Sequence, residues 1–140
     1  MKLRIALVFL VLITSVSLLS CIVTSRAIGV EISCDDFTEN PHSIINEFQT
    51  EIGDKITVKL CSNPSTGFQW SYDITTTGVL KEEDYDFEEP EETIPGAAGI
   101  EVWTFEAVEE GTTEVKFAYS QPWEGGEKET WAYNMTVAVE

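Results

Sequence analysis

The chain has 140 residues, a length that predicts one domain. Its 25 Asp and Glu residues against eight Lys and Arg give a formal net charge of −17. A surface this acidic repels phosphate backbones and anionic lipid headgroups, which excludes nucleic-acid binding and membrane attachment through a basic patch. Hydrophobic residues form 43% of the chain and aromatic residues 11%, enough to bury a core, which excludes a disordered chain.

The N-terminal segment has the pattern of an export signal. Lys2 and Arg4 precede a mainly apolar stretch at residues 5–19, and a basic start followed by an apolar middle of this length is typical of a secretory signal peptide. We therefore expect residues 1–27 to be a signal peptide and residues 28–140 to form the domain. The protein is then expected to be secreted or to lie on the outer face of the cell membrane.

Two cleavage sites and one uncleaved form are compatible with this signal. Residues 18–21 resemble a bacterial lipobox, in which Cys21 would become a lipidated first residue. Residues 25–27 instead place small side chains at the positions that signal peptidase reads. An uncleaved anchor over residues 5–23 is disfavoured by its hydroxyl residues and its minimal length. The choice between free secretion and a lipid anchor stays open, and we expect membrane contact only through this N-terminus.

Cys34 and Cys61 are the two cysteines of the expected domain. An even number of cysteines in an oxidising compartment favours a disulfide. Neither residue has the neighbouring cations that would hold a reactive thiolate. We therefore predict a disulfide between Cys34 and Cys61 in preference to a free, reactive thiol, and closing this loop would stabilise the fold by about 2–4 kcal/mol.

Alternation of apolar and polar residues with a period of two predicts β-strands through most of the domain. We predict strands at residues 30–34, 47–52, 55–60, 68–74, 103–107, 115–119 and 131–139. Residues 35–46 are predicted as a short helical turn or a loop. Seven or eight short strands with apolar inner faces favour an all-β fold, an immunoglobulin-like antiparallel β-sandwich. The Cys–Trp–Cys spacing of antibody domains is absent from the sequence.

The connection at residues 63–68, here called loop 1, is longer than a tight hairpin turn. Pro64 fixes its own φ angle, and Gly67 allows a positive φ. The polar residues of the loop, beginning with Asn63, have side chains that hydrogen-bond readily to nearby backbone. The composition is typical of a loop that holds one shape, and it is compatible with a well-made turn as well as with a binding loop.

An acidic run precedes a second unusual connection. Eight Asp and Glu residues lie between Glu82 and Glu92. The Asp/Asn spacing of a calcium loop is absent, so we predict a solvated, self-repelling loop and no metal site. Residues 95–99, here called loop 2, carry only small side chains after Pro95, so another chain's backbone can approach closely. Loop 2 is not a phosphate loop, because no Lys follows it and a strand comes next.

Residues 121–124, here called loop 3, lie between the last two predicted strands. Trp123 falls outside the alternation of Phe117 and Tyr119 and follows Pro122, so we expect its indole to be exposed at least in part. An exposed aromatic side chain on a rigid loop is a common binding anchor. The alternative is an indole that folds back over the edge of the sandwich.

Together and in this order, loops 1, 2 and 3 resemble the chagasin family of cysteine-protease inhibitors. That family carries an Asn-Pro-Thr-Thr-Gly-Phe loop, a Gly/Ala-rich loop and an Arg-Pro-Trp loop on an immunoglobulin-like β-sandwich. In this chain Ser65 replaces the first Thr and Gln121 replaces Arg. The loss of Arg removes a planar cationic donor, so we expect weaker or differently selective inhibition. The similarity covers residues 48–140.

The resemblance implies a reversible inhibitor of papain-like cysteine proteases that is not itself an enzyme. Its loops would cluster at one end of the sandwich and block the active-site cleft. Ser65 and Thr66 would lie over the catalytic Cys–His pair, loop 2 beside the substrate groove, and Trp123 on the leaving-group side. The residues to which the resemblance assigns protease binding are Asn63, Pro64, Ser65, Thr66, Gly67, Phe68, Gly96, Ala97, Ala98, Gly99, Gln121, Pro122 and Trp123.

Two other classes of function use exposed residues of this kind. The main alternative is a cell-surface adhesion or recognition module whose partner is not a protease. An enzyme is disfavoured, because His42 is the only histidine and Cys34, with which it would pair, has an expected disulfide partner. We predict no cofactor, metal or small-molecule substrate. Asn134 begins a glycosylation sequon within the last predicted strand.

Overall fold

The computed structural model describes residues 24–39, 43–90 and 94–140. Most of the expected signal peptide, up to residue 23 and including Cys21, lies outside these ranges, as does His42. The described residues form two four-stranded β-sheets that enclose a common core. The predicted all-β sandwich is thereby confirmed. None of the helices in the described ranges has the length and apolar character needed to cross a membrane.

Each sheet combines antiparallel strands with one parallel edge strand. The first sheet has the order β1–β3–β6–β5 and the second the order β2–β8–β7–β4. Strand β1 runs parallel to β3, and β2 runs parallel to β8. In chain order the elements are β1 (Ala27–Ile32), α1 (Cys34–Glu39), β2 (Ser43–Thr50), β3 (Lys55–Ser62), β4 (Gln69–Ile74), β5 (Leu80–Glu88), β6 (Gly99–Ala107), β7 (Gly111–Ser120) and β8 (Trp131–Val139).

The core consists of alternating side chains from the facing sides of the two sheets. In β6, β7 and β8 buried residues alternate with more exposed ones, the pattern of strands that have one face on a core. The largest fully buried side chains include Phe105 of β6, Phe117 of β7 and Tyr133 of β8. Phe37 of α1 is also buried and stacks on Trp131 of β8, so the short helix contributes to the core at one end of the sandwich.

The prediction of a loop over the acidic run is wrong for residues 82–88, which belong to the edge strand β5. Most of its side chains are exposed on both faces, so the strand lacks the apolar alternation on which the prediction depends. Two cations of β3 reach across β6 to it. Lys55 Nζ lies 2.5 Å from Glu83 Oε2, and Lys59 Nζ lies 2.6 Å from Glu88 Oε1. Charges at a sheet edge also discourage pairing with a strand of another molecule.

The first two strands begin earlier than predicted. Strand β1 starts at Ala27, the last residue of the expected signal peptide, and Cys34 opens α1 instead of ending a strand. Strand β2 starts at Ser43 and ends at Thr50. Both are edge strands with only partial burial, so their apolar pattern marks the boundaries poorly.

Loops 1, 2 and 3 lie at the same end of the sandwich as α1. Loop 1 leads from β3 to β4, loop 2 leads into β6, and loop 3 follows β7. The strand register places their ends side by side, because Ser62 pairs with Gly99 and Gln69 pairs with Ser120. The topology therefore brings the three segments identified in the sequence to one pole of the molecule.

Candidate functional site

Loop 1 is held in one conformation by its own residues. Residues Pro64–Thr66 form a single turn of 3₁₀ helix, and the side chain of Asn63 accepts hydrogen bonds from the backbone N–H of Ser65 at 3.2 Å and from its hydroxyl at 2.6 Å. The Thr66 hydroxyl donates to the Asn63 carbonyl oxygen at 2.6 Å. Gly67 ends the turn with φ +79°, a left-handed conformation that favours glycine. These contacts are the local ones that the sequence predicts.

Asn63 also ties loop 1 to loop 2 and to the core. Its Nδ2 donates to the carbonyl oxygen of Gly96 at 2.8 Å, and its backbone N–H donates to the hydroxyl oxygen of Tyr119 at 2.8 Å. Loop 2 turns at Gly96, where φ is +85° and the space around the missing side chain is open. The side chain of Asn63 thus joins the two loops, and the hydroxyl of Tyr119 fixes its backbone.

Trp123 joins loop 3 to loop 1. Its indole is 50% exposed, and the rest of it lies over Gly67. A Cβ atom at Gly67 would come 2.5 Å from Cη2 of the indole, so only glycine permits this approach. The backbone of loop 3 is fixed by Lys128, whose Nζ donates to the carbonyl oxygens of Gln121 and, at 3.0 Å, of Trp123. The indole is therefore partly exposed, as predicted, and it is also held against its neighbouring loop.

A cluster of stacked aromatic rings supports loops 1 and 3. Tyr119 stacks on Trp131 with centroids 5.0 Å apart, and Trp131 stacks on Phe37 at 5.0 Å. Phe68 of loop 1 lies against Tyr119 at 5.3 Å. Aromatic pairs in these arrangements add about 0.5–1.5 kcal/mol beyond their buried area. The cluster therefore stabilises the end of loop 1 and the strand residues just before loop 3.

Cys34 and Cys61 form the predicted disulfide, with their Cα atoms 5.2 Å apart. The bond ties the start of α1 to β3 two residues before loop 1 begins. The carbonyl oxygen of Cys61 also accepts a hydrogen bond from Nε1 of Trp70 at 2.9 Å. The alternative of a free, reactive thiol is wrong for these two residues, and their role in the described structure is to support the loop end of the sandwich.

The residues assigned to protease binding differ in their exposure. Ser65, Thr66 and Trp123 are exposed, whereas Gly99 is buried. A Cβ atom at Gly99 would lie 2.4 Å from the ring of Phe87, so this glycine makes room for the half-buried side chain of Phe87 on β5. Those exposed at the surface of the loop end are Pro64, Ser65, Thr66, Gly96, Ala98, Pro122 and Trp123. Half-buried residues complete the set: Asn63, Gly67, Phe68, Ala97 and Gln121.

Three residues of this region were not identified from the sequence. Tyr119 was assigned only to the core, although its hydroxyl holds Asn63. Lys128 was not singled out, because a lysine in a turn carries no signal of the carbonyl groups it will meet. Glu101 lies at an inward position of β6, in the same alternation as Trp103, and this acid in an otherwise apolar pattern was a signal that could have found it.

Glu101 links the bases of loops 1 and 2. Its side chain is buried, and Oε1 accepts a hydrogen bond from the hydroxyl of Ser62 at 2.7 Å. Oε2 accepts a second hydrogen bond from the hydroxyl of Tyr85 at 3.1 Å. Within the described ranges, no cluster of His, Cys, Asp and Glu has the arrangement of a metal site. The loop end is therefore a surface of fixed backbone and side chains whose chemistry suits a macromolecular partner.

Comparisons with known proteins identify relatives of this chain. Residues 49–137 match the family model described as Chagasin family peptidase inhibitor I42. The chain is 30% identical to amoebiasin-2 of Entamoeba histolytica over 87 aligned residues. This alignment covers 61% of this chain and 71% of amoebiasin-2. Over 78 residues the chain is 31% identical to chagasin of Trypanosoma cruzi, covering 53% and 71%.

Two solved structures share the fold at low sequence identity. The crystal structure of the cysteine protease inhibitor EhICP2 from Entamoeba histolytica matches with a TM-score of 0.64 and 22% identity, over 84% of this chain and 100% of that one. The structure of PbICP-C in complex with falcipain-2 matches with a TM-score of 0.53 and 9% identity, over 82% and 98%. None of these matches supports an adhesion module.

Proposed function

This chain belongs to the chagasin family of cysteine-protease inhibitors, and we propose that it inhibits papain-like enzymes reversibly by inserting loops 1, 2 and 3 into the active-site cleft. As a member of this family it is an inhibitor and not an enzyme. The observation that carries the proposal is that Asn63 bonds to Gly96 and Trp123 covers Gly67, so the loops form one surface in the free protein. A surface formed beforehand loses little ordering entropy on binding.

Each loop has a distinct role in this proposal. Ser65 and Thr66 lie over the catalytic Cys–His pair of the enzyme and exclude substrate without offering a bond in a geometry that can be cleaved. Loop 2 lies beside the substrate groove, where its small side chains let its backbone pair with that of the enzyme. Trp123 packs on the leaving-group side of the cleft as an aromatic anchor. The fold relative PbICP-C, solved in complex with falcipain-2, supports a partner of the same class.

The proposal is tested by titrating the mature protein against a panel of papain-like enzymes, with a serine protease as the control enzyme. We expect inhibition within the panel and none of the serine protease. Trp123→Ala should raise the inhibition constant about 30-fold, which corresponds to about 2 kcal/mol. Ile45→Ala is the control variant, because Ile45 is also an exposed apolar residue, at 67% against 50% for Trp123, and it lies on β2. Unchanged activity of every papain-like enzyme would refute the proposed function.

We propose further that the protein is exported. The disulfide between Cys34 and Cys61 supports this, because structural disulfides persist mainly in oxidising compartments. The backbone N–H of Arg26 donates to Asp54 at 2.6 Å, and this contact favours cleavage before Arg26, as at Cys21. Mass spectrometry of the protein from its own cells tests the proposal. A lipidated Cys21 or any other new N-terminus supports export, and a cytoplasmic protein that retains its first 20 or so residues contradicts it.

A further inference from the structure

Glu101 is a buried carboxylate that forms no ion pair with a Lys or Arg of the described ranges. Its residue is 5% exposed, in a stripe of β6 that otherwise carries large apolar side chains such as Trp103 and Phe105. Acidic side chains are almost never buried at this level unless they are paired. The other buried acid, Asp54, lies 3.9 Å from Nε of Arg26. Glu101 instead accepts hydrogen bonds from two hydroxyl groups, those of Ser62 and Tyr85.

The carboxylate contributes to the lining of a cleft at the open side of the sandwich. This cleft of about 440 Å³ lies between the edge strands β4 and β5 and reaches loop 1 at Pro64 and Gly67. Further along the same strands Tyr72 of β4 donates a hydrogen bond to Glu82 of β5, which bridges the two edges. The cleft therefore has one end at the proposed protease-binding surface and Glu101 in its wall.

Much of the remaining wall of the cleft is aromatic, and Gln69 adds a polar side chain to it. Trp70 of β4 and Tyr85 and Phe87 of β5 line it together with Glu101. A carboxylate offers about four acceptor positions, and Ser62 and Tyr85 occupy one on each oxygen. Arginine is the side chain that suits both features, since its planar guanidinium pairs with a carboxylate and stacks on aromatic faces. The formal net charge of −17 also attracts a cation to this surface.

We propose that this cleft receives an arginine side chain of the target protease, from a surface outside the catalytic centre, while loop 1 occupies the active site. The proposal rests on the proposed function for its partner, but the cleft's affinity for arginine is a property of this chain alone. Glu101 is then a residue that determines selectivity: proteases with an arginine at the matching place bind tightly, and proteases without one bind through the three loops only.

The first experiment measures arginine binding by the mature, disulfide-bonded protein without any protease. N-acetyl-arginine methylamide is titrated while backbone amide NMR shifts are recorded, and N-acetyl-citrulline methylamide serves as the uncharged probe of the same shape. We expect shifts at Tyr85, Phe87 and Glu101 with the arginine probe and weaker binding, by about tenfold or more, with citrulline. Equal binding of both probes, or no shift in these residues, would overturn the proposal.

Two matched variants test whether the carboxylate of Glu101 is the group that binds the arginine probe. Glu101→Gln keeps an oxygen acceptor for Ser62, and Glu106→Gln makes the same change in charge on the same strand but outside the cleft. We expect only Glu101→Gln to weaken the arginine probe, by about tenfold or more. If both variants weaken binding of the arginine probe equally, only the net charge of the protein matters, and the proposed site is overturned. If Glu101→Gln does not fold, Phe87→Ala removes an aromatic face from the same wall and should weaken binding of the arginine probe.

The protease panel separates this proposal from the function on which it rests. We expect Glu101→Gln to raise the inhibition constant about tenfold for some papain-like enzymes and to leave it unchanged for others. An equal rise of the inhibition constant for every enzyme would mean that Glu101 acts only by holding loop 1 through Ser62. An unchanged inhibition constant for every enzyme would mean that the cleft is not used. Either result overturns the selectivity role. If the wild-type protein binds arginine but inhibits none of the enzymes, the proposed function is refuted, whereas the affinity of the cleft for arginine is confirmed.

Discussion

The contact between Gly67 and Trp123 allows a direct test of whether the loops act as one preformed surface. In Gly67→Ala the new residue must adopt a φ of +79°, which costs an L-residue roughly 1–2 kcal/mol. Its Cβ would lie 2.5 Å from the indole, about 1 Å closer than a favourable carbon–carbon contact. The indole must therefore move away, and the anchor is lost from its position.

We expect Gly67→Ala to lower the free energy of unfolding by roughly 1–2 kcal/mol and to raise the inhibition constant for papain-like enzymes by up to about 30-fold. Gly53→Ala is the matched control, because Gly53 has a similar φ of +93° and open space around it, in the turn between β2 and β3. It should lose the same stability and inhibit as the wild type does. Urea unfolding and inhibition assays on the same preparations give both quantities.

A double-mutant cycle isolates the contact from the backbone effect. Once Trp123→Ala has removed the indole, a Cβ atom at Gly67 has nothing to displace. The double variant should therefore inhibit within about threefold of Trp123→Ala alone, a strongly non-additive result. Fully multiplicative losses, or wild-type inhibition by Gly67→Ala, would refute the reasoning that loop 1 positions loop 3.

Three further predictions concern the support of the loops and the fold. Cys34→Ser should lower the free energy of unfolding by about 2–4 kcal/mol, and thiol titration of the unfolded, unreduced wild-type domain should find neither Cys34 nor Cys61 free. Tyr119→Phe removes the acceptor of the Asn63 N–H, so it should cost about 1–3 kcal/mol in urea unfolding and weaken inhibition. Hydrogen bonds, led by that from the Arg26 N–H, lower the pKa of Asp54 in the folded state. Its stabilising contribution is therefore present above the unfolded pKa of about 3.9 and lost as the pH falls through the lower folded value, and Asp54→Asn should flatten this pH dependence of unfolding.

The sequence was most informative where the structural determinants are local. Pro64, Gly67 and the polar residues between them specify the shape of loop 1 through contacts within four residues of one another. The alternation in β6, β7 and β8 likewise predicted which face of each strand is buried. Strand β5 was missed for the complementary reason, since an acidic edge strand buries neither face and shows no alternation.

The contacts that join the loops could not be predicted, because they connect residues far apart in the chain. Asn63 reaches Gly96 across 33 positions, and Ser62 reaches Glu101 across 39. No short sequence motif indicates a hydrogen-bond partner so far away in the chain. The glycine at position 67 illustrates the difference: its positive φ was expected from the turn, whereas the indole lying on it depends on the fold as a whole.

A basic side chain at position 121 could both stabilise loop 3 and make a charged contact with a protease. Gln121 stands where the family has Arg, so the two roles are separated in this chain. The side-chain oxygen of Gln121 accepts a hydrogen bond from the backbone N–H of Glu127 at 3.1 Å. The cation that contacts this loop is Lys128, four residues beyond its end, whose ammonium group donates to the carbonyl oxygens of Gln121 and Trp123. The positive charge of Lys128 thus stabilises loop 3, and the charged contact that an arginine could make from position 121 is unavailable. Since the indole is held in place without that contact, the substitution should change which proteases are bound tightly more than whether the loop can dock at all.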